Sequence, residues 1–299
     1  MPTADHKPPR VAVTGAGGIL GTALREILPK GPEPMEAVGL THADLDVTRP
    51  EDVREGLSEI RPDAVIHAAA YTQVDACEET PDLAREVNAV GTAHMGRTCK
   101  ELNCRLIYLS TDYVFDGKSD RPYREDDPVC PLGVYGRTKW EGEVAVRREG
   151  PADSLIVRTS WVYGRGGRNF VDAILEKGAL GEPLRVVNDQ RGSPTNSVDL
   201  ADALKALLRT EARGVVHVSG GGECSWYEFA RQILAAAGQD PDLVEPIPAR
   251  GLGRRAPRPA YSVLDGTAYQ RWTGRDMRPW PEALLDYLAR RGAVIEGRN

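Results

Sequence analysis

The chain has 299 residues, 41 % hydrophobic and 27 % charged, which is enough for one large α/β domain or two moderate ones. Net charge is −6, with Lys and Arg scattered, so no basic stripe exists for nucleic acid to follow. No run approaches the ~18 apolar residues of a membrane span, and the polar, Pro-rich residues 1–10 lack the apolar centre of a signal peptide.

The five cysteines (Cys77, Cys99, Cys104, Cys130 and Cys224) are odd in number, widely spaced and without a C-x-x-C pair. That usage points to reduced thiols and a cytoplasmic location.

In chain order, RVAVT (10–14) reads as a buried strand. It is followed by Gly15, Ala16, Gly17, Gly18, Ile19, Leu20 and Gly21, then by a helical pattern over 22–28. A strand, a glycine turn and a helix N-terminus together form the arrangement that receives a pyrophosphate on backbone N–H groups. A second strand over 36–40 ends in Leu40, Thr41 and His42. An acidic residue at that tip would hold an adenine ribose 2′-hydroxyl. None stands there, which removes a repulsion against a 2′-phosphate and leans the cofactor towards NADPH, with NADH still allowed. Asp44 and Asp46 come slightly later and read as lining the adenine edge.

Residues 48–51 form a capping box with Pro in the first turn, opening a helix to Ile60. A third buried strand (63–67) runs into Ala68, Ala69, Ala70, Tyr71 and Thr72. Small side chains there let a flat cofactor lie on the backbone, or simply pack helix on sheet. Thr80 and Pro81 start a long helix to about Asn103. His67 and His94 have no second ligand at metal spacing.

Another strand (105–110) ends at Thr111, Asp112 and Tyr113, and a polar loop leads to Pro131. In the helical run that follows, Tyr135 and Lys139 are four apart and share a face. A nearby cation favours the ionised phenol, whose ordinary pKa is ~10, so the pair reads as a proton donor or acceptor. Strands alternating with helices this regularly imply a doubly wound parallel sheet with its ligand beyond the carboxyl ends of the strands. Ser110, Thr111 and the Tyr135 helix all fall at that edge, where a hydroxyl near a phenol can clamp a carbonyl.

Further on come a strand (155–158), a basic glycine loop (165–168), a helix (169–177), a strand (184–187) and the loop 188–195. A helix over 197–208, a strand over 214–218 and a capping box at Ser225 and Glu228 follow. A Pro/Arg-rich stretch (241–259) precedes helices near 265–272 and 281–291. Loops so rich in Arg and Gly suit a nucleoside diphosphate or a solvated surface equally well.

The glycines 15, 18 and 21, Ser110-Thr111-Asp112 and Tyr135-x-x-x-Lys139 together resemble the extended short-chain dehydrogenase/reductase superfamily. Within it, the match is closest to the dTDP-4-dehydrorhamnose reductases. The resemblance rests on AAAYTQVDACE (68–78), VNAVG (87–91), STDYVFDG (110–117), PLGVYGRTKWEGE (131–143), RTSWVYG (158–164), NDQRGSPT (188–195) and RPAYSVLD (258–265). It implies a Rossmann-type nucleotide-binding domain (1–165, with about 197–222 returning to it). The rest, 166–196 and 223–299, would be a smaller, mostly helical substrate domain.

The resemblance also implies reduction of the C4 carbonyl of a dTDP-4-keto-6-deoxy sugar by NAD(P)H. Tyr135 would deliver the proton, Thr111 would bond the same oxygen, and Lys139 would hold the nicotinamide ribose and lower the phenol's pKa. Gly18, Ile19 and Leu20 would carry the pyrophosphate and Asp46 and Val47 would border adenine, with Ala70 to Thr72 along the cofactor's middle. Asp112 and Trp161 would meet the sugar, and Asn169, Gln190 and Arg191 the substrate's nucleotide end. The related dehydratases carry Asp-Glu after the catalytic Thr. Here Asp112 is followed by Tyr113, which argues against dehydration. A non-catalytic subunit resembling the β subunit of methionine adenosyltransferase shares the scaffold, but the intact Thr111, Tyr135 and Lys139 favour the enzyme. The particular sugar (a rhamnose precursor or an antibiotic deoxysugar), a structural Mg²⁺, and monomer versus homodimer stay open at this point.

Overall fold

The computed structural model describes residues 8–296. The chain opens with β1 (Arg10–Thr14), α1 (Ile19–Ile27), β2 (Glu36–Leu40), α2 (Pro50–Ile60) and β3 (Ala64–His67). There follow α3 (Val74–Glu79), α4 (Pro81–Arg85), a π turn over Glu86–Val90, α5 (Gly91–Glu101) and β4 (Arg105–Thr111). A short 3-10 turn, Asp112–Val114, precedes α6 (Val134–Glu149), β5 (Leu155–Thr159), β6 (Val162–Tyr163) and α7 (Phe170–Gly178). Then come β7 (Leu184–Val187), β8 (Arg191–Gly192), β9 (Thr195–Asn196), α8 (Ser197–Leu207), β10 (Gly214–His217), β11 (Cys224–Ser225) and α9 (Trp226–Ala236). The chain closes with β12 (Val244–Ile247), α10 (Thr267–Thr273) and α11 (Trp280–Glu296).

Six strands pair in parallel in the order β10-β5-β4-β3-β1-β2. Their near-continuous apolar runs are the composition of strands covered on both faces. On one face Val11, Val13, Ile107, Leu155 and Val157 pack with Leu24 of α1 and Leu200 and Leu204 of α8. On the other, Ala12, Val65, Leu106 and Ile156 pack with Val53 of α2, Met95 of α5 and Val146 of α6. This is a Rossmann-type doubly wound sheet. Strand order reverses between β1 and β3, so a crevice opens beyond their carboxyl ends.

A separate apolar cluster joins α7, α9 and α11 around Ile174, Phe229, Ile233 and Leu284. Short two-stranded pairs, β7 with β12 and β8 with β11, border it. Residues 261–277, placed by sequence in the substrate unit, touch both units: Tyr261 and Ser262 pair with Arg191 and Glu223, while later side chains reach the large sheet. Tyr269 and Met277 join the core of the large sheet, and Leu264 packs with Phe115 and Tyr123.

Two local expectations differ from the structure. Thr48 does not cap α2: its hydroxyl donates to Asp46 at 2.8 Å, and Arg49 takes the N-cap position without a side-chain bond. The long helix after Pro81 runs without a break to Glu101 but carries a π turn at Glu86–Val90, and a separate short helix precedes it from Val74. Pro81, which lacks an N–H, separates α3 from α4. The π turn brings Asn88 inward to bond the loop after β3, a use of π geometry that recurs at functional sites. Among the described residues no helix is long and apolar enough to cross a membrane.

Candidate functional site

The glycine turn sits where the sheet order reverses. Gly15 has φ +69, and a Cβ there would come within 2.8 Å of the Ala69 backbone nitrogen; only glycine meets both conditions. A Cβ at Gly21 would run into the Gly15 carbonyl, so these glycines bring turn, helix and the loop after β3 into backbone contact. At Gly17, by contrast, only Thr41 lies within reach, at 4.0 Å. Helix α1 starts at Ile19 with no side-chain cap and no acidic residue in its first turn. Its leading N–H groups therefore have no side-chain cap of their own, and Gly17 and Gly18 beside them are exposed, as an incoming pyrophosphate requires.

At the β2 tip a carboxylate is present after all. Asp44 folds back, accepting from the Thr41 backbone at 2.8 Å and from its hydroxyl at 2.6 Å, and these bonds lower its pKa. Position along the chain puts Asp44 past the tip, but a short turn returns it there. Arg25 of α1 also reaches this tip, where a Cβ at Gly39 would meet its Cδ at 2.8 Å. Asp46 bonds the Thr48 N–H at 3.0 Å, and buried Val47 accepts from His94.

The loop after β3 keeps Ala68, Ala69, Ala70 and Tyr71 half-buried and Thr72 exposed. Asn88 pins it, accepting from the Tyr71 N–H at 2.8 Å and donating to the Tyr71 carbonyl and to the Thr138 hydroxyl of α6. His67 is buried between the hydroxyls of Thr14 and Thr92. Burial holds its pKa down to about 3, so it is a neutral packing group.

Thr111 and Tyr135, expected from sequence to clamp a carbonyl, lie at the end of β4 and the start of α6. Thr111 is buried, donates to Asp112 Oδ1 at 3.0 Å and accepts from the Tyr113 N–H. Ser110 turns the other way, towards α6. Tyr135 lies edge-on to Tyr113, ring centroids 5.8 Å apart. Burial raises the Tyr135 phenol above its usual value, and the hydroxyl of Thr111 only partly opposes this.

The expected lowering of the phenol by Lys139 is therefore corrected. The Lys139 ammonium lies 4.2 Å over the Tyr108 ring, and burial brings its own pKa down to about 7. Burial, the largest influence on the phenol, thus acts to keep it protonated. Asp112 is buried as well. Its Oδ2 has no hydrogen-bond partner among the described residues, and burial pushes its pKa up to about 7 against the hydroxyls of Ser262 and Thr111. An orphaned buried oxygen of this kind calls for a ligand donor.

Packed against the second apolar cluster, Trp161 adopts φ +47, a conformation rare for a bulky side chain. It stacks on Trp226 with centroids 3.5 Å apart and planes 8° from parallel. Gln190 is buried. Arg191 is engaged by Glu223 at 3.0 Å and Glu228 at 3.3 Å. Asn169 caps α7, accepting from Asp172 and donating to the Gly164 carbonyl at 2.9 Å, which commits most of its polar capacity within the protein. Among the described residues no cluster of three or more His, Cys, Asp or Glu could hold a metal ion.

The family described as "RmlD substrate binding domain" matches residues 9–292. The chain belongs to that family. It is 41 % identical over 288 residues to the dTDP-4-dehydrorhamnose reductase of Streptomyces griseus, covering 95 % of this chain and 94 % of that one. It is 41 % identical over 275 residues to the dTDP-4-keto-6-deoxy-D-glucose reductase of Streptomyces niveus, covering 92 % of this chain and 95 % of that one. Among solved structures it is similar to dTDP-4-dehydrorhamnose reductase from Bacillus anthracis str. Ames in complex with NADP. That match has a TM-score of 0.90 and 37 % identity, and covers 95 % of this chain and 100 % of that one.

Some features of this RmlD-family site were not singled out from sequence. Thr159, the register partner of Thr111, has a buried hydroxyl oxygen without a partner among the described residues. Arg254 and Arg258 place positive charge near Tyr113, and Arg258 is held by Asp75 at 2.7 Å. Only the pairing of β4 with β5 reveals the first, and only the return of the 254–262 segment onto α3 reveals the others.

Proposed function

We propose that the protein is an NAD(P)H-dependent nucleotide-sugar 4-ketoreductase, converting dTDP-4-dehydrorhamnose to dTDP-L-rhamnose. A reduced nicotinamide, when bound, supplies the hydride for the C4 carbonyl. The chain's own residues receive the cofactor, orient the sugar and provide the proton. Gly15, Gly18, Ile19, Leu20 and Gly21 meet the pyrophosphate on backbone N–H groups, Asp46 and Val47 border adenine, and Ala68 to Thr72 line the path between. NADPH is the cofactor we assign: a similar solved protein holds NADP, and Arg25 stands at the β2 tip.

Tyr135, kept neutral by burial, donates its proton to the oxygen that becomes the alcohol. Thr111 turns its hydroxyl from Asp112 to the same oxygen, so two donors stand ready where negative charge develops. Lys139 holds the nicotinamide ribose. Asp112 accepts a sugar hydroxyl on its free Oδ2, and Trp161 covers the sugar face. Gln190 and Arg191 border the substrate's nucleotide end, and Arg254 and Arg258 add positive charge beside Tyr113. Residues 1–165 with about 197–222 form the cofactor unit, and the remaining segments bring the substrate to it, in the cytoplasm.

The observation that carries this reading is the meeting of Thr111, the buried Tyr135 and the unpaired Asp112 oxygen. The experiment is NADPH oxidation with a panel of dTDP-4-keto-6-deoxy sugars. Turnover highest with dTDP-4-dehydrorhamnose supports the assignment. Absence of turnover on the whole panel rejects it.

A further inference from the structure

One turn beyond Lys139, the spacing Tyr135, Lys139 continues to Glu143. This side chain is fully buried, yet both its oxygens are bonded twice. Oε1 accepts from Ser110 at 2.6 Å and from Arg158 Nε at 2.8 Å. Oε2 accepts from Arg158 Nη2 at 2.8 Å and from Arg147 at 2.9 Å. Ser110 and Arg158 are register partners on β4 and β5, and each immediately precedes a threonine at the edge of the crevice. A single carboxylate thus ties the helix carrying Tyr135 to the strand ends carrying Thr111 and Thr159. Arg158 extends the tie to His217 of β10, 3.4 Å away.

Buried ion pairs are poor sources of stability, since desolvation offsets most of their attraction. A cluster this complete at this place therefore needs another explanation, and the surroundings of Lys139 suggest one. From β3 it faces His67 and from β4 Tyr108, and burial keeps both neutral. Asn88 on the π turn is uncharged. Among the described residues Glu143 is the one group whose charge favours the Lys139 ammonium, and Arg147 and Arg158 draw on that same charge. The charged pairs Arg85–Glu141 and Arg97–Glu149 lie at the surface.

Building on the ketoreductase reading, we infer that Glu143 is a positioning residue of the reaction. It fixes the separation of Thr111 and Tyr135 through Ser110 and keeps Lys139 protonated where the cofactor ribose is held.

The test is Glu143→Gln, which keeps the shape and removes the charge. The inference expects kcat to fall roughly tenfold to a hundredfold, the cost of a displaced reacting group. It also expects the alkaline limb of the pH profile to move down by about one unit as Lys139 loses its supporting charge. Glu143→Asp should return the limb towards wild type. The same limb is read without turnover, from NADPH binding against pH by fluorescence, so failure of the ketoreductase reading, seen as no wild-type turnover, stays separate.

Arg147→Ala, at a partly exposed position, frees part of the Glu143 charge. It should move the limb upward even if Glu143→Gln does not fold. Limbs that stay in place in both measurements, with a drop in thermal stability alone, would make Glu143 merely structural and overturn the inference.

Discussion

A side-chain carbon at Gly136 would overlap the carbonyl oxygen of Tyr113. At that point α6 crosses the 3-10 turn that follows β4, and the closeness of the crossing sets how near Tyr135 comes to Thr111. Gly136→Ala should cost about 1–3 kcal/mol of stability, the usual range for overpacking, and lower kcat more than cofactor affinity. Gly266→Ala, with nothing within 4 Å, is the control and should change neither. Urea denaturation and steady-state kinetics on both variants check this.

Asp112 links the site to stability. Burial raises its folded pKa from 3.8 to about 7, so the folded chain binds this proton more tightly than the unfolded chain does. Its contribution therefore falls as pH rises from about 4 to about 7 and is level above that. Asp112→Asn should raise stability by about 1–3 kcal/mol at pH 8 and by less at pH 5, while lowering kcat/KM for the sugar. Equal effects of the substitution at both pH values would show that the carboxyl is not held protonated by the fold.

The sheet and its site edge were legible in the sequence because parallel strands buried on both faces read as unbroken apolar runs. The glycine turn and Tyr135-x-x-x-Lys139 were legible because their spacing is local. What escaped depends on tertiary contact. Asn88 reaches the loop after β3 from a π turn within its helix, Asp44 curls back to Thr41, and Arg158 finds Glu143 only once β5 lies beside β4. Burial, likewise invisible along the chain, outweighs the lowering of the phenol expected from Lys139. The same is true of Thr48, whose hydroxyl prefers Asp46 to the helix it was expected to cap.

Cofactor choice is testable at the β2 tip. Arg25 lies alongside Gly39, while the Asp44 carboxylate is occupied by Thr41. Arg25→Ala should weaken NADPH binding by roughly 1 kcal/mol, the scale of a partly exposed charge contact, and leave NADH binding unchanged. Titration of each cofactor into wild type and variant measures the difference. Equal losses for both would place Arg25 away from the 2′-phosphate.

The role of Tyr135 is tested most directly by single-turnover NADPH oxidation with dTDP-4-dehydrorhamnose in Tyr135→Phe, alongside NADPH binding. Loss of the phenolic proton should slow the reaction by roughly 10²–10⁴-fold, the weight of a positioned acid, with the Kd for NADPH unchanged. A rate close to wild type would contradict the account, since the proton would then reach the alcohol by another route.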